Sequence, residues 1–185
     1  MAVLIDEAVK TATVEEFWRL SQNDQFRGEL IAGEVCELVP PGYMHSCVGS
    51  NVFGALLEFV KARKLGRVIA ECGFVISRDP DTVLAPDVAF ISTACLPAAI
   101  TEKFSEVVPD LAIEVLSPGD TYAEVREKAD QYLAGGVKEI WIVDPRRRAM
   151  EILRPPDKRI TLHGGDRLET PLLPGFSALV NEVFE

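Results

Sequence analysis

The stretch that decides the fold is residues 109–118, Pro-Asp-Leu-Ala-Ile-Glu-Val-Leu-Ser-Pro, an apolar run with one glutamate, Glu114, inside it. A turn over residues 118–120 follows, and then a helical pattern over residues 121–134 that ends at two glycines. Residues 138–144 return to Ile, Trp and Val, which is typical of a strand buried on both faces. A strand, a crossover helix and a second strand in this order predict a parallel strand pair.

The chain ahead of this unit predicts a hairpin and a long helix. Residues 29–39 read as two strands about a turn at Ala32-Gly33. Residues 45–65 carry apolar side chains every three to four positions, which predicts a core helix that stops at Gly66.

Two further strands are predicted between that helix and residue 109. They cover residues 67–77 and 82–92 and are joined by a turn at residues 78–81. Pro86 inside the second strand implies an edge position or a bulge, because proline has no N–H to donate to a sheet. Tight turns favour antiparallel pairing, so together with the parallel pair we expect an α/β fold (α+β type) with a central mixed sheet flanked by helices.

The two ends of the chain add smaller elements. Thr13 and Glu16 form a capping box, which predicts a short peripheral helix that ends near residues 22–24. Residues 146–185 predict a hairpin across 155–158 and a final apolar helix or turn. Since no repeat or linker divides the sequence, we expect one domain over residues 1–185.

Composition limits the classes of protein to be considered. With 185 residues and 48% hydrophobic content, the chain can bury a full core without disulfides. No apolar run approaches the roughly 20 residues that span a bilayer, and Asp6 and Glu7 stand where a secretory signal would be basic and then apolar. We therefore expect a soluble, cytoplasmic protein without a membrane partner.

Neither the cysteines nor the histidines form a zinc-binding pattern. The four cysteines are isolated from one another and neither histidine stands at finger-like spacing from a cysteine pair. We expect reduced thiols that act as small buried hydrophobic side chains rather than as nucleophiles.

The formal net charge of -10 opposes long-range attraction to nucleic acid, because phosphate binding usually depends on a basic surface. Basic residues do cluster at residues 61–67 and 146–159, where they form either a local basic patch or ordinary solvated surface. The sign of the charge is the main compositional argument against a nuclease.

Two carboxylates lie inside apolar stretches, Asp87 after Pro86 and Glu114 in residues 109–118. An ionised group in such a place is costly unless it is paired or bound to metal, and Mg²⁺ prefers carboxylate oxygen. Two of them on neighbouring strands predict a divalent-metal site. The alternatives are a solvated Asp87 behind its proline and a Glu114 that pairs with a nearby lysine or arginine.

Lys128 is the cation best placed to join them. In the predicted helix, Lys128 borders the apolar arc and can turn inward along the sheet. The alternative is a lysine that merely covers apolar surface with its stem. The chain has no P-loop, GxGxxG, GxSxG or HExxH motif, so the commonest nucleotide-binding, hydrolase and zincin sites are excluded.

The residues that carry a family resemblance run through nearly the whole chain. They are Glu29-Leu-Ile-Ala-Gly33-Glu34-Val, His45 before a long helix, Pro86-Asp87-Val, residues 109–118, Lys128, Tyr132, Gly136-Val137, Glu139-Ile-Trp141-Ile-Val-Asp144-Pro145 and Leu173-Pro174-Gly175-Phe176. This pattern resembles the Uma-two family, which is classed with the restriction endonucleases in the PD-(D/E)XK nuclease superfamily. The resemblance implies a restriction-endonuclease-like core with a metal site on two adjacent strands.

The resemblance also implies roles for individual residues. Asp87 matches the aspartate of the PD motif, and Glu114 matches the acidic residue of the (D/E)XK motif. Leu116 stands where that motif has its lysine, and in this family the role of orienting the attacking water passes to the following helix, here to Lys128. The family pattern draws in Glu34 as a further metal ligand and His45 as a ligand or proton carrier, with capping or packing as the alternative for the histidine.

Two functions follow from the sequence. The first is a Mg²⁺- or Mn²⁺-dependent nuclease that hydrolyses phosphodiester bonds in DNA, for which the resemblance and the symmetry of most assemblies imply a homodimer or higher homo-oligomer. The second is a catalytically inactive module of the same fold that binds nucleic acid or protein. The acidic net charge and the missing in-strand lysine favour the second, whereas Asp87, Glu114 and Lys128 favour the first.

Overall fold

A computed structural model describes residues 11–23 and 26–185, so the acidic start of the chain, with Asp6 and Glu7, lies outside the described residues. In chain order the elements are α1 (Val14–Ser21), β1 (Gly28–Ile31), β2 (Glu34–Glu37), α2 (Tyr43–Arg63), β3 (Gly66–Ala70), β4 (Phe74–Arg78), β5 (Asp81–Leu84), β6 (Val88–Ser92), β7 (Leu111–Val115), α3 (Tyr122–Ala134), β8 (Glu139–Asp144), β9 (Ala149–Arg154), β10 (Lys158–His163), β11 (Arg167–Leu168), β12 (Ala178–Leu179) and α4 (Val180–Val183).

A six-stranded mixed sheet forms the centre, in the order β10-β9-β8-β7-β6-β3. Strands β7 and β8 pair in parallel and α3 connects them, whereas their other neighbours pair antiparallel. Apolar side chains of α2 pack on one face of the sheet and those of α3 on the other. The predicted parallel pair and the mixed sheet flanked by helices are confirmed.

A second, four-stranded antiparallel sheet has the order β2-β1-β5-β4. Phe74, Ile76 and Leu84 of this sheet share an apolar cluster with α3 and the central sheet. Its other face packs against α1 through a separate cluster that contains Phe17. The carboxylates that matter below lie where the two sheets meet α3.

Each of the two long strands predicted between α2 and residue 109 is in fact two strands in different sheets. The chain leaves the central sheet after β3 through Glu71, which has a positive φ of 51°, and enters the smaller sheet as β4. It returns between β5 and β6 through Ala85 and Pro86, which belong to no strand. The edge position or bulge predicted for Pro86 is therefore wrong. The proline needs no sheet partner because it occupies the crossing between the sheets.

Helix ends follow the sequence closely. Thr13 and Thr121 both form capping boxes with the glutamate three residues later. Helix α2 ends at Arg63 and is capped by Lys64 in the left-handed conformation, two residues before Gly66. Gly66 itself has φ 152°, and a Cβ there would come within 2.0 Å of the Ile91 carbonyl oxygen, so β3 can approach β6 only with glycine at this position.

All four cysteines are free thiols, as predicted, but they are half-buried rather than fully buried. Among the residues that the structure describes, no helix is long and apolar enough to cross a membrane.

Candidate active site

Asp87 and Glu114 meet at one end of the central sheet. Strands β6 and β7 pair antiparallel with Val88 opposite Ile113, so Asp87, just before β6, stands beside Glu114 near the end of β7. Oδ2 of Asp87 accepts a hydrogen bond of 2.6 Å from the Val115 N–H. Two carboxylates predicted from separate apolar stretches are thus brought together.

Lys128 reaches this pair from α3. Its Nζ lies 3.0 Å from both carboxylate oxygens of Glu114, and its side chain is only 18% exposed. The hydroxyl of Tyr132, one turn further along α3, donates a hydrogen bond of 2.8 Å to Glu114 Oε1. The inward direction expected for Lys128 from the helical arc is confirmed.

Glu29 is the carboxylate that sequence reasoning missed. It lies in β1 and is 3% exposed, and its Oε1 is 2.9 Å from Lys128 Nζ and accepts a 2.7 Å hydrogen bond from the Ala85 N–H. The signal was present, since Glu29 stands in a predicted strand beside Leu30 and Ile31, as Glu114 does between Ile113 and Val115. Lys128 therefore joins the buried Glu29 to the largely buried Glu114, two glutamates from different sheets.

The two other predicted residues occupy different positions. His45, in the first turn of α2, brings Nε2 to 3.3 Å from Asp87 Oδ2, so it belongs to the group. Glu34 begins β2 with an exposed side chain, on the same sheet face as Glu29. Among the described residues, no hydrogen bond or ion pair joins the Glu34 carboxylate to Asp87 or Glu114.

The charge in this group is unbalanced. Three carboxylates, Glu29, Asp87 and Glu114, face one ammonium and one imidazole. Burial, with the charges of Asp87 and Glu29, raises the pKa of Glu114 to about 8, although Lys128 acts in the opposite direction. With all three carboxylates ionised the group carries excess negative charge, which a proton on Glu114 or an added cation would offset.

The same burial and charges also shift the pKa values of Lys128, Tyr132 and His45. Burial lowers the pKa of Lys128, but Glu114 and Glu29 outweigh it and raise that pKa above its usual value, so the ammonium is permanent. Burial and then Glu114 raise the pKa of Tyr132, which remains a neutral donor. The hydrogen bond to Asp87 raises the pKa of His45, which favours the imidazolium.

The donor set fits a hard divalent cation held by few protein ligands. Asp87 Oδ1 accepts no hydrogen bond from the described residues, and the Asp87 side chain is 25% exposed, so this oxygen faces water. Over residues 11–23 and 26–185 no group of three or more His, Cys, Asp or Glu side chains is arranged as a ready metal cage. Mg²⁺ commonly uses only one or two carboxylates and completes its shell with water and phosphate, which Asp87 and Glu114 would allow.

The fold has a solved counterpart. It is similar to the crystal structure of a protein described as a "putative nuclease belonging to DUF820", from Anabaena variabilis ATCC 29413, with a TM-score of 0.82 and 20% sequence identity over 94% of this chain and 97% of that one. The likeness establishes the nuclease-like fold expected from the sequence. A search among curated proteins gave no match.

The family assignment rests on the sequence. A family model named Uma2 and described as "Putative restriction endonuclease" matches residues 14–181, a span that includes every residue of the candidate site. The chain belongs to the Uma2 family.

Proposed function

We propose that this protein is a divalent-metal-dependent nuclease that hydrolyses phosphodiester bonds in DNA. The observation that carries the proposal is the position of Lys128, whose ammonium lies 3.0 Å from Glu114 beside Asp87. Leu116, two residues after Glu114, packs with the apolar cluster under α3. The helix thus supplies the cation that the strand lacks.

Asp87 and Glu114 would hold Mg²⁺ or Mn²⁺. An ion bound there supplies charge that binds the phosphate and makes a water molecule more acidic. The raised pKa of Glu114 supports this assignment, because a second cation beside the carboxylate relieves the repulsion from Asp87 and Glu29.

Lys128 would position the attacking water and stabilise charge on the phosphate. An ammonium has three N–H donors: one meets Glu29 Oε1 at 2.9 Å, and the two Glu114 oxygens, both at 3.0 Å, can share a second. The third remains for a water or phosphate oxygen. Because Glu29 is buried and is itself held by the Ala85 N–H, it fixes the direction in which Lys128 points.

The remaining residues support this arrangement. His45 orients Asp87 through Nε2 and carries a proton beside the reacting phosphate. Tyr132, which is fully buried, holds Glu114 through its hydroxyl. Glu34, exposed on the same sheet face as Glu29, would contribute as an outer carboxylate rather than through the buried group.

We further propose that the chain forms a single domain and assembles as a homodimer or higher homo-oligomer. Cutting both strands of a DNA duplex uses two active sites, and a two-fold symmetric dimer supplies them.

Cleavage assays test the proposal directly. Purified protein is incubated with supercoiled plasmid, branched DNA and single-stranded DNA, with Mg²⁺, Mn²⁺ or EDTA. We expect metal-dependent cutting that Asp87→Asn abolishes and that Lys128→Ala reduces by about 10²–10³-fold, the usual effect of removing one transition-state donor.

Matched controls come from the exposed turn before β10 and from the first residue of that strand. Asp157→Asn and Lys158→Ala make the same chemical changes at exposed positions and should leave cutting unchanged. Cutting that persists in Asp87→Asn and Lys128→Ala would refute the assignment, as would a purified protein that cuts none of the three DNAs with either metal.

A non-catalytic binding module is the second candidate function. The net charge of -10 and Leu116 at the expected lysine position favour it. Manganese binding followed by electron paramagnetic resonance separates the two, because a pure binding module has no reason to hold an ion at Asp87. Binding in the wild type that Asp87→Asn loses would favour the nuclease.

A further inference from the structure

The turn between β8 and β9 holds three consecutive exposed arginines. We call this set the arginine turn, and its members are Arg146, Arg147 and Arg148. At the level of sequence, the basic cluster that contains them is either a local basic patch or ordinary solvated surface. The position of the turn relative to the candidate active site favours the first alternative.

The arginine turn lies at the end of the central sheet where Asp87 and Glu114 meet. Strands β7 and β8 run parallel with Glu114 opposite Ile142, and β8 ends two residues later at Asp144, directly before the turn. At about 4.8 Å between strands and about 3.3 Å per residue, the Cα atoms of Glu114 and Asp144 lie roughly 8 Å apart. A DNA strand advances about 3.4 Å along the helix axis per nucleotide, so the turn is about three nucleotides from a phosphate bound at the site.

The other basic residues found in the sequence lie at the opposite end of the sheet. The cluster at residues 61–67 includes Gly66, which begins β3 and pairs with Ser92 at the end of β6, whereas Asp87 stands just before β6 begins. Lys158 begins β10, which pairs there with the end of β9 farthest from the arginine turn. Of these basic segments, the arginine turn is therefore the one beside the carboxylates of the site.

The backbone of the arginine turn is fixed by the protein, and two of its guanidinium groups remain exposed. Asp144 Oδ1 accepts hydrogen bonds of 3.0 Å from the N–H groups of both Arg146 and Arg147, and Arg148 Nη1 donates one of 3.3 Å to the Phe184 carbonyl. The Arg147 side chain is 77% exposed. Over residues 11–23 and 26–185, the Arg146 guanidinium forms no ion pair or hydrogen bond. Because the turn is ordered before any ligand binds, little further ordering opposes binding.

The acidic groups near the turn leave this charge available. Asp144 Oδ2, 3.5 Å from the Arg147 guanidinium, makes the only ion pair with the turn in the described part of the chain. Asp120, in the loop between β7 and α3, accepts the Ser117 N–H at 2.7 Å, and Glu185 follows the Phe184 that binds Arg148. At physiological ionic strength, charges more than about 8 Å away are largely screened. The net charge of -10 is therefore a weak obstacle to a phosphate in contact with these arginines.

The chemistry of arginine indicates what the turn binds. A guanidinium is planar and permanently charged, and it can contact two oxygens of one phosphate at once. On the basis of the proposed function, we propose that the arginine turn binds the DNA backbone about three nucleotides from the scissile phosphodiester, through Arg146 and Arg147 and independently of base sequence. Contacts of this kind fix the register of the substrate on the protein.

Fluorescence anisotropy in EDTA tests this inference without hydrolysis. The probes are a labelled 20-base-pair duplex, a length of about two duplex turns, and one of its strands alone. We expect the double variant Arg146→Ala/Arg147→Ala to bind about 10-fold more weakly at low salt. Between about 50 and 200 mM KCl, its plot of log Kd against log salt should be shallower by about 0.9 per lost contact for the duplex and about 0.7 for the single strand. A loss with either probe supports the inference, and the probe with the larger loss identifies the form of the substrate.

Two matched double variants separate a specific contact from general attraction. Lys61→Ala/Arg67→Ala removes two exposed cations at the opposite end of the sheet and should bind as the wild type does. Arg146→Lys/Arg147→Lys keeps both charges and should retain most of the salt dependence, although it loses the paired contacts of a guanidinium. No binding by the wild type, unchanged binding by Arg146→Ala/Arg147→Ala, or an equal loss in Lys61→Ala/Arg67→Ala would overturn the inference.

The result is distinguishable from that of the cleavage assay. A backbone contact away from the reacting phosphate is made equally in the ground state and the transition state, so Arg146→Ala/Arg147→Ala should raise KM about 10-fold and leave kcat within about 2-fold. Cutting whose KM does not depend on the arginine turn would refute the inference alone. Binding that depends on the turn, in a wild type that cuts no DNA, would refute the nuclease and leave the turn as a DNA-binding surface.

Discussion

Glu114 on β7 and Glu139 on β8 are glutamates with little solvent exposure on neighbouring parallel strands, but the charges around them differ. Glu139 is 1% exposed and accepts hydrogen bonds from Trp141 Nε1 and Thr170 Oγ1 at 2.6 and 3.1 Å, and it pairs with the guanidinium of Arg154. One carboxylate there meets one cation and two neutral donors. Around Glu114, three carboxylates share one permanent cation and one histidine.

The two groups therefore differ in the charge around the glutamate rather than in its burial. In the Glu139 group one carboxylate is balanced by one guanidinium. The group links β8 to β9 and to Thr170, so its role is structural. Asp110 follows the same pattern with Lys138 as its cation. The Glu114 group has one more carboxylate than cations when all three carboxylates are ionised, even with His45 protonated, and a proton on Glu114 restores the balance below about pH 8.

The largest expected effect is the loss of stability when Glu139 loses its cation. Arg154→Ala leaves Glu139 buried without its cation, and such a loss costs about 3–5 kcal/mol. Lys128→Ala also leaves the buried Glu29 without its cation, but its cost should be smaller at pH 6 than at pH 9, because Glu114, whose pKa is about 8, can remain protonated at the lower pH. Urea denaturation of both variants measures the difference.

The control for this pair is an arginine outside any buried group. Arg147→Ala removes an ion pair with Asp144 whose arginine side chain is 77% exposed, and the expected change is about 0–1 kcal/mol. A cost of Lys128→Ala that is the same at pH 6 and pH 9 would mean that Glu114 does not hold a proton as its raised pKa implies.

The fold was predictable from sequence except where the chain changes sheets. Periodicity found α2 and α3, and the order strand, helix, strand found the parallel pair β7 and β8. The crossings at Glu71 and Ala85-Pro86 were missed because the apolar pattern continues through them. Which sheet a short strand joins depends on partners far away in the chain, and no local pattern encodes that choice.

The site was predictable to a similar extent. Asp87, Glu114 and Lys128 were identified from burial and helix geometry together with the family resemblance, and the structure brings them together. Glu29 was missed because its hairpin has no sequence link to α3, and Lys128 contacts it only through the packing of the smaller sheet. Glu139 and Glu114 look alike in sequence, since the arginine and threonine that balance Glu139 come from later segments.

The second-largest expected effect is on the pH dependence of the free energy of unfolding. The pKa of Glu114 is about 8 in the folded protein and about 4.5 in an unfolded chain, so the folded state holds the proton more tightly. The stabilisation that comes from this proton is therefore fully present below about pH 4.5. It should be lost as the pH rises toward 8, and the free energy of unfolding in EDTA should fall by about 2–4 kcal/mol. His45 has a raised pKa as well and adds a loss of the same sign above pH 6.5.

Urea denaturation at a series of pH values checks this slope. Glu114→Gln should flatten it and leave only the smaller part due to His45. The pKa of Asp110 is lowered, despite its burial, by Lys138 and the Ser92 N–H, so its stabilisation is lost only as the pH falls through the acidic range. Added Mg²⁺ or Mn²⁺ should stabilise the wild type more at pH 8 than at pH 6, and a stabilisation independent of pH would contradict an ion at Glu114.

The smallest expected effect compares the two neutral donors. Tyr132→Phe removes the 2.8 Å hydrogen bond to Glu114 Oε1, and Thr170→Val removes the 3.1 Å hydrogen bond to Glu139 Oε2. Each should cost about 1 kcal/mol on urea denaturation, since each leaves one carboxylate oxygen with one donor fewer. Only Tyr132→Phe should move the pH profile of cleavage upward, because losing a donor to the ionised form raises the pKa of Glu114 further. A profile that shifts equally in both variants, or in neither, would make Tyr132 a packing residue rather than one that positions Glu114.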